Sequence, residues 1–588
     1  MKKKLLSVII AIGLCLGCSD EFTTVSPRGS LNDEVLQNED GVNLLLVGAY
    51  GLLDGFITGD PWLSSGDGWW LDVLTDDAHK GSTDTDQGDL QRLQTYIWTS
   101  DNPYLFSKWQ ALYGGIDRCN SVINVAGLVE NPDELTTQIA EARFLRAHFH
   151  FELQRLWGSV PYIGEEEQAD PNLPNEGAIW DKIEADFQFA IDNLPESSPD
   201  GEPGRANAWA AKAFLAKVHL QQGEYNEAQE IFSDVINNGP FMLATEFNDN
   251  FTGAGKNGTE SILAIQFAID GPPNDANANQ GSTLTHPGGG PYGSCCGFYQ
   301  PSQDLANSFK TDASGLPLLD TYNDSDITND MGLESYQTDT EGNVIEDGSG
   351  NPVPTAYTPY TGNLDPRIDY TIGRRGIDFN GYGLHPGKDW VRAQADGGPY
   401  MNKKTAYKKE EEGSTKGAGA WGQQHSGLNY NIMRYADLLL MAAEAEVELN
   451  MLAEAEGHVN MVRNRAKNMT YLKEVLADGT VTTNDAATYV IEPYADGTFA
   501  AQGQDYARKA VRHERRLELG MEGHRIYDLK RYSDAVNIIE DWKTNEDRLF
   551  GDRLSSWGTF QEKNLLFPIP VTAIDLSNGV LNQTEMWK

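Results

Sequence analysis

Three stretches of this sequence put aromatic rings, carboxylates and guanidinium groups into glycine-rich loops. In the first, Asp67, Trp69 and Trp70 alternate with Gly66 and Gly68. An indole exposed beside glycine and aspartate suits a sugar: the ring face stacks on C–H groups and the carboxylate accepts hydrogen bonds from hydroxyls. In the second, Tyr292, Phe298 and Tyr299 flank the adjacent pair Cys295 and Cys296. Two neighbouring thiols in an exported chain either close a strained ring that forces a tight turn or stay reduced; the ring is the expectation here. In the third, Arg374, Arg375, Tyr382, Trp390, Arg392 and Tyr400 share one Gly-rich region, and arginine offers several donors to ring and hydroxyl oxygens. For any single ring, core packing is the simpler reading. As a set, the loops are assigned to a ligand, with Asp67, Trp69, Trp70, Tyr292, Cys295, Cys296, Tyr299, Arg374, Arg375, Trp390 and Tyr400 as its contacts. Trp69 and Trp70 are expected on an exposed, extended loop, one as a platform and the other packed.

Catalytic signatures are missing. The chain has no His-Glu-x-x-His, no Gly-x-Ser-x-Gly and no phosphate-binding Gly-x-x-x-x-Gly-Lys-Ser/Thr. His148 and His150 are two apart, so they point to different sides of a helix and read as core or interface residues, not a zinc pair. A retaining glycoside hydrolase needs two carboxyl groups about 5 Å apart, a distance no sequence states, so hydrolysis stays open as a third-ranked reading. Two acidic runs, Asp84-Thr-Asp86-Gln-Gly-Asp89 and Asn323-Asp-Ser-Asp326, carry oxygen ligands but lack the glycine and glutamate of a calcium loop. They read as solvated loops, and no metal or cofactor is expected.

The elements that must position these loops are helical. Residues 39–54, 104–128 and 177–194 have helical patterning, and within 141–157 Leu145, Phe149, Leu153 and Leu156 recur on one face before Gly158 and Pro161 stop the helix. Ala216, Gly223, Tyr225, Ala228, Phe232 and Pro240 carry the spacing of a tetratricopeptide unit: small residues where two helices cross, glycine at the turn, proline at the exit. Ala443 and Ala455 repeat the twelve-residue separation, with Asn450 at the turn. Residues 240–427 are rich in Gly, Asn, Asp and Pro, with a short strand over 261–267, and such a long irregular stretch is usually functional or mobile. Helices are expected again from about 428 to 550. The fold class is therefore mainly α: a helical-hairpin scaffold at about 30–240 and 428–588 with a loop-rich binding region at about 241–427.

Composition narrows the partners. Of 588 residues, 39% are hydrophobic, which excludes a disordered chain. The net charge is −42, which argues against nucleic acid and against polyanionic substrates. Met1 is followed by three lysines and an apolar run at 5–16, too short to span a bilayer and suited to a signal peptide. Gly17-Cys18 resembles a bacterial lipobox, with Cys15 where leucine is usual, so residues 1–17 are read as a signal peptide and Cys18 as the lipidated start of a membrane-anchored protein. Cys119 is expected as a buried small hydrophobe.

Several motifs in order carry a resemblance. They are Trp109-x3-Tyr113-x2-Ile116-x-Arg118-x-Asn120; Glu141-Ala-Arg-Phe-Leu-Arg-Ala147 with Gly158-Ser-Val-Pro161; Arg434-Tyr-Ala-Asp437 running to Glu444; Glu514-Arg-Arg516 with Glu518, Glu522, Arg525, Asp528 and Arg531; and Leu566-Phe-Pro-Ile-Pro570. Together they resemble the SusD/RagB family of outer-membrane nutrient-binding lipoproteins of Bacteroidota. Asp365-Pro-Arg367, His385-Pro-Gly387, Gly398-Pro-Tyr400 and the Cys pair resemble its glycan-binding members. The resemblance implies one SusD-like domain over 18–588, cell-surface exposure, no catalysis, and capture of an oligosaccharide or polysaccharide for a SusC-like TonB-dependent transporter. The acidic balance favours a neutral glycan. A peptide-binding lid of such a transporter is the second reading. Arg515, Arg516, Glu518, Glu522, Arg525, Asp528 and Arg531 are expected to form an ion network between helices.

Overall fold

The structure, a computed structural model, describes residues 36–57, 60–269, 277–293, 295–327, 330–419 and 424–588. The signal segment and Cys18 lie outside the described residues. The N-terminal scaffold runs α1 (Glu39–Gly51), α2 (Trp69–Asp72), β1 (Ala78–Gly81), α3 (Pro103–Ala126), α4 (Thr136–Trp157), α5 (Trp180–Asn193), α6 (Ala208–Gln222) and α7 (Tyr225–Asn238). The loop-rich part contributes β2 (Ser261–Ile265), β3 (Phe298–Pro301), α8 (Gln303–Ser308), β4 (Ile372–Gly373) and β5 (Met401–Asn402). The C-terminal scaffold holds β6 (Tyr430–Arg434), α9 (Tyr435–Glu448), α10 (Leu452–Asn468), β7 (Lys473–Val475), β8 (Val481–Asp485), α11 (Gln504–Leu519), α12 (Arg525–Arg531) and α13 (Ala535–Phe550). Among the described residues no helix is long and apolar enough to cross a membrane.

Both tetratricopeptide-like hairpins form. Ala216, Ala228, Ala443 and Ala455 are all fully buried, as expected where paired helices cross closely. The turns match atom for atom. Gly223 leaves α6 at φ +79 and Asn450 follows α9 at φ +59. The next amide reaches five residues back in each: Glu224 donates to the His219 carbonyl at 2.9 Å and Met451 to the Glu446 carbonyl at 2.8 Å. Asparagine tolerates the left-handed conformation that glycine otherwise supplies. At another crossing, a Cβ on Gly115 of α3 would lie 2.5 Å from the Phe149 ring on α4, so only glycine allows that approach.

Two expectations need correction. Helix does not resume at 428: residues Tyr430–Arg434 form β6, paired antiparallel with β2, and α9 starts at Tyr435. The stretch to 550 is also broken by the β7–β8 hairpin. Both strand pairs depend on partners or turns that helical spacing does not report.

The charged C-terminal motif is an interior ion network. Arg434 bonds Glu260 at 2.7 Å, Glu518 at 2.6 Å and Glu522 at 2.8 Å. Arg515 joins Asp437 at 3.0 Å and Asp528 at 2.8 Å, and Arg531 joins Asp528 at 2.6 Å. Arg516 reaches Asp77 at 2.6 Å and Asp304 at 2.5 Å, while Arg525 reaches Asp76 at 2.7 Å. Buried charges persist only when paired in this way. Cys119 is buried, as are His148 and His150.

Candidate functional site

Strand β1 positions the site. Its entry, Asp76-Asp77, is clamped by Arg516 and Arg525, and Ser302 after β3 donates its backbone N–H to the Asp77 carbonyl and its hydroxyl to that of Asp76. β1 pairs antiparallel with β3 through Ala78↔Pro301 and Gly81↔Phe298. The chain leaving β1 and the chain entering β3 therefore emerge together, and the Ser82 N–H donates to the Gly297 carbonyl at 2.8 Å. This brings residues 82–87 beside the Cys295-Cys296 loop.

Lys80 knits the first loop. Its ammonium donates to the carbonyls of Gly81, Thr83 and Asp86 and lies 5.0 Å from the Phe298 ring centre. Burial lowers its pKa to about 8, against the pull of Asp86 and Asp84. A third loop closes on the other two. Gln300 of β3 donates to the Gly398 carbonyl at 3.0 Å and the Tyr400 carbonyl at 3.1 Å. Arg392 bonds Asp86 at 2.7 Å, and its Cβ would lie 2.7 Å from a Cβ on Gly288 and 3.1 Å from one on Gly297. Trp390 covers Gly290, where an added Cβ would sit 2.5 Å from the indole. Glycine at 288 and 290 is thus required by close approach.

A small aromatic core holds these loops. Tyr292 is buried and donates to the Tyr407 carbonyl at 2.7 Å; its ring meets Tyr382 edge-on at 4.9 Å. Trp390 packs edge-on to Phe379 and His385. Trp390 and Tyr382 stay half-buried, and Tyr382 donates to Glu412. In these loops Arg392, Asp389 and Asp84 are exposed, and Asp86 and Cys295 are half-buried. Cys295 and Cys296 are joined as a disulfide. Half-exposed rings beside hydroxyl-matching charges can stack on and hydrogen-bond a polyol.

The expected contact residues divide. Tyr292, Cys295, Cys296 and Trp390 converge here. Trp69 and Trp70 do not form an exposed loop: they open the helical turn α2 and are 1% and 0% exposed. Trp69 donates its indole N–H to the Gly281 carbonyl at 3.0 Å, and Trp70 lies against Tyr104 and Phe567. Asp67 is buried too, accepting from Asn279 at 3.1 Å and from Ser65. Tyr299 is buried and donates to Asp72 at 2.9 Å; Tyr400 is buried and donates to Gln303 at 3.1 Å. Arg374 is paired in the interior with Asp369 at 2.7 Å, and Arg375 donates to the Ser335 and Thr355 carbonyls. These seven side chains brace the loops from below, because apolar area and paired charge are worth most out of water. The acidic runs are not simply solvated: Asp84 pairs with Arg553, Asp86 with Arg392 and Asp326 with Arg548. Lys80 and the Asp86–Arg392 tie were not singled out from sequence; the only signal was the acidic run itself.

A helical-hairpin scaffold carrying a face built from long loops is the class that fold and site define. A family model described as "SusD family" matches residues 259–587, and one described as "Starch-binding associating with outer membrane" matches residues 47–220. The chain belongs to the SusD family. It is 25% identical over 557 residues to "SusD-like protein P25" of Formosa agariphila, covering 92% of each chain. Its fold is that of a solved "Laminarin binding SusD-like protein" (TM-score 0.63, 20% identity, 93% of this chain and 99% of that one). It is also that of surface glycan-binding protein A from Bacteroides thetaiotaomicron in complex with laminarihexaose (TM-score 0.61, 18% identity, 93% and 99%).

Proposed function

We propose that this protein is a non-catalytic, surface-exposed glycan-binding lipoprotein of the outer membrane. It captures an oligosaccharide or polysaccharide and passes it to a SusC-like TonB-dependent transporter. The observation that carries this reading is the half-buried indole of Trp390, packed over Gly290 of a second loop, while Arg392 two residues on ties the same loop to Asp86 of a third. Two structural neighbours bear names that state laminarin or laminarihexaose binding, which supports a glycan as the ligand class. The description of the N-terminal family match supports outer-membrane association, and the Gly17-Cys18 signal supports a lipid anchor. A net charge of −42 favours a neutral glycan over an acidic one. Tyr292 and the Cys295–Cys296 disulfide shape the face, while Asp67, Trp69, Tyr299, Arg374, Arg375 and Tyr400 support it from within.

A glycan array on the mature, lipid-free chain tests the reading, followed by calorimetry with any ligand found. Binding of a neutral glycan that weakens in Trp390→Ala is expected. Binding only of peptides, or turnover of the bound oligosaccharide, would overturn it.

A further inference from the structure

The scaffold encloses a second feature, away from the loop face. A cavity of about 40 Å³ is lined in part by the segment that carries Ser64, Gly66 and Gly68. Its wall includes Lys108, His148, Glu152, Arg155, Lys217 and His524. The cations and carboxylates here do not balance. Arg155 is matched by Glu152, which also accepts from the Tyr527 hydroxyl at 2.7 Å. Lys217 sits 3.4 Å from Asp437, a carboxylate that Arg515 also holds at 3.0 Å. Lys108 has no such partner. Its ammonium donates to the Ser65 carbonyl at 2.8 Å and the Ser64 carbonyl at 3.5 Å, and among the described residues it forms no ion pair. No carboxylate touches this buried ammonium; Glu152 and Asp67 act on it only from beyond contact.

Three more atoms on this wall are orphaned. Nδ1 of His148, Nε2 of His524 and Nε of Arg155 are buried without a hydrogen-bond partner, and each of these residues is more than nine-tenths buried. Each can donate a proton, the histidines in the appropriate tautomer. One unpaired cation and three orphaned donors around a single void describe the wall of an anion site.

We propose that this cavity holds a small monovalent anion of the halide class, with Lys108 as its counter-charge and His148, His524 and Arg155 as hydrogen-bond donors. Bridging waters would satisfy the donors but put no negative charge in contact with the Lys108 ammonium. The ion would tie α3 (Lys108) and α4 (His148, Arg155) to the Gly523-His524 turn, so its effect is on the scaffold and not on glycan capture.

Two measurements test the proposal. Crystals of the mature, lipid-free chain grown in sodium bromide, with diffraction recorded at the bromine edge, should give an anomalous peak in this cavity beside Lys108 Nζ. Melting curves at constant ionic strength should show a saturable rise in Tm when chloride replaces gluconate, and Lys108→Met should lose that rise. A cavity that holds only water in the bromide crystals overturns the proposal, as does an equal chloride response in wild type and Lys108→Met. If Lys108→Met does not fold, the wild-type bromide map alone decides.

Discussion

The rings of Trp69 and Tyr299 lie 6.1 Å apart, centroid to centroid, and neither side chain reaches solvent. The glycine-flanked tryptophan loop and the cysteine-flanked strand therefore meet inside the molecule. Their contact carries the loop face without being part of it.

That arrangement separates two kinds of tryptophan. Trp390→Ala removes a half-buried ring and should forfeit about 0.5–1.5 kcal/mol of stacking beyond its area term, a several-fold loss of glycan affinity, with a smaller loss of Tm than at a fully buried ring. Trp70→Ala empties a core site against Tyr104 and Phe567 and should cost about 3–5 kcal/mol of stability. Calorimetry and thermal melts on both variants check this; equal affinity in wild type and Trp390→Ala would move the site elsewhere.

The hairpin crossings are sensitive to volume. Ala216→Leu or Ala443→Leu forces extra methylenes into a fully buried crossing and should destabilise by about 1–3 kcal/mol. Urea unfolding measures it, and an unchanged midpoint in both variants would contradict close helix packing there.

Breaking the interior ion cluster should be severe. Arg434→Met strands Glu260, Glu518 and Glu522 beneath the surface, with an expected cost of about 3–5 kcal/mol. Wild-type stability in this variant would mean that neighbouring cations such as Lys404 and Arg465 already suffice.

Stability should fall in mild acid. Burial lowers the pKa of His148, His286 and His524 to about 4 and of His150, His385 and His513 to about 3. Below the unfolded value near 6.5 the unfolded chain takes up protons that the folded chain refuses, so stability drops as pH falls from about 6.5 towards 4. Each histidine contributes up to about 1.4 kcal/mol per pH unit in that window. Lower down, Asp76 acts in the same direction: burial would raise its carboxyl, but Arg516 and Arg525 overcome this and hold it at about 2, so its contribution is lost between about pH 4 and 2. Urea midpoints at pH 7 and pH 5.5 check the first window, where the midpoint at pH 5.5 should be lower.

The anchor is tested separately. Cys18→Ala should release the protein from the membrane fraction; a processed variant that still sediments with membranes would show that the lipid is not at Cys18.

The long N-terminal helices and both hairpin turns were legible in the sequence. Local periodicity and turn chemistry settle them: Gly223 and Asn450 stop their helices by the same left-handed geometry. The charged motif around Arg515 and Glu518 likewise announced an ion network, since charges at helical spacing among apolar residues must be paired. Exposure was not legible. Trp69 and Trp390 sit beside similar glycines and aspartates, yet one is sealed in the core and the other is only half-buried. What decides between them is the β1–β3 register and the packing of Arg392 against Gly288 and Gly297. Those contacts join segments far apart in the chain, and burial is a property of what the distant segment covers, which no local pattern of residues contains.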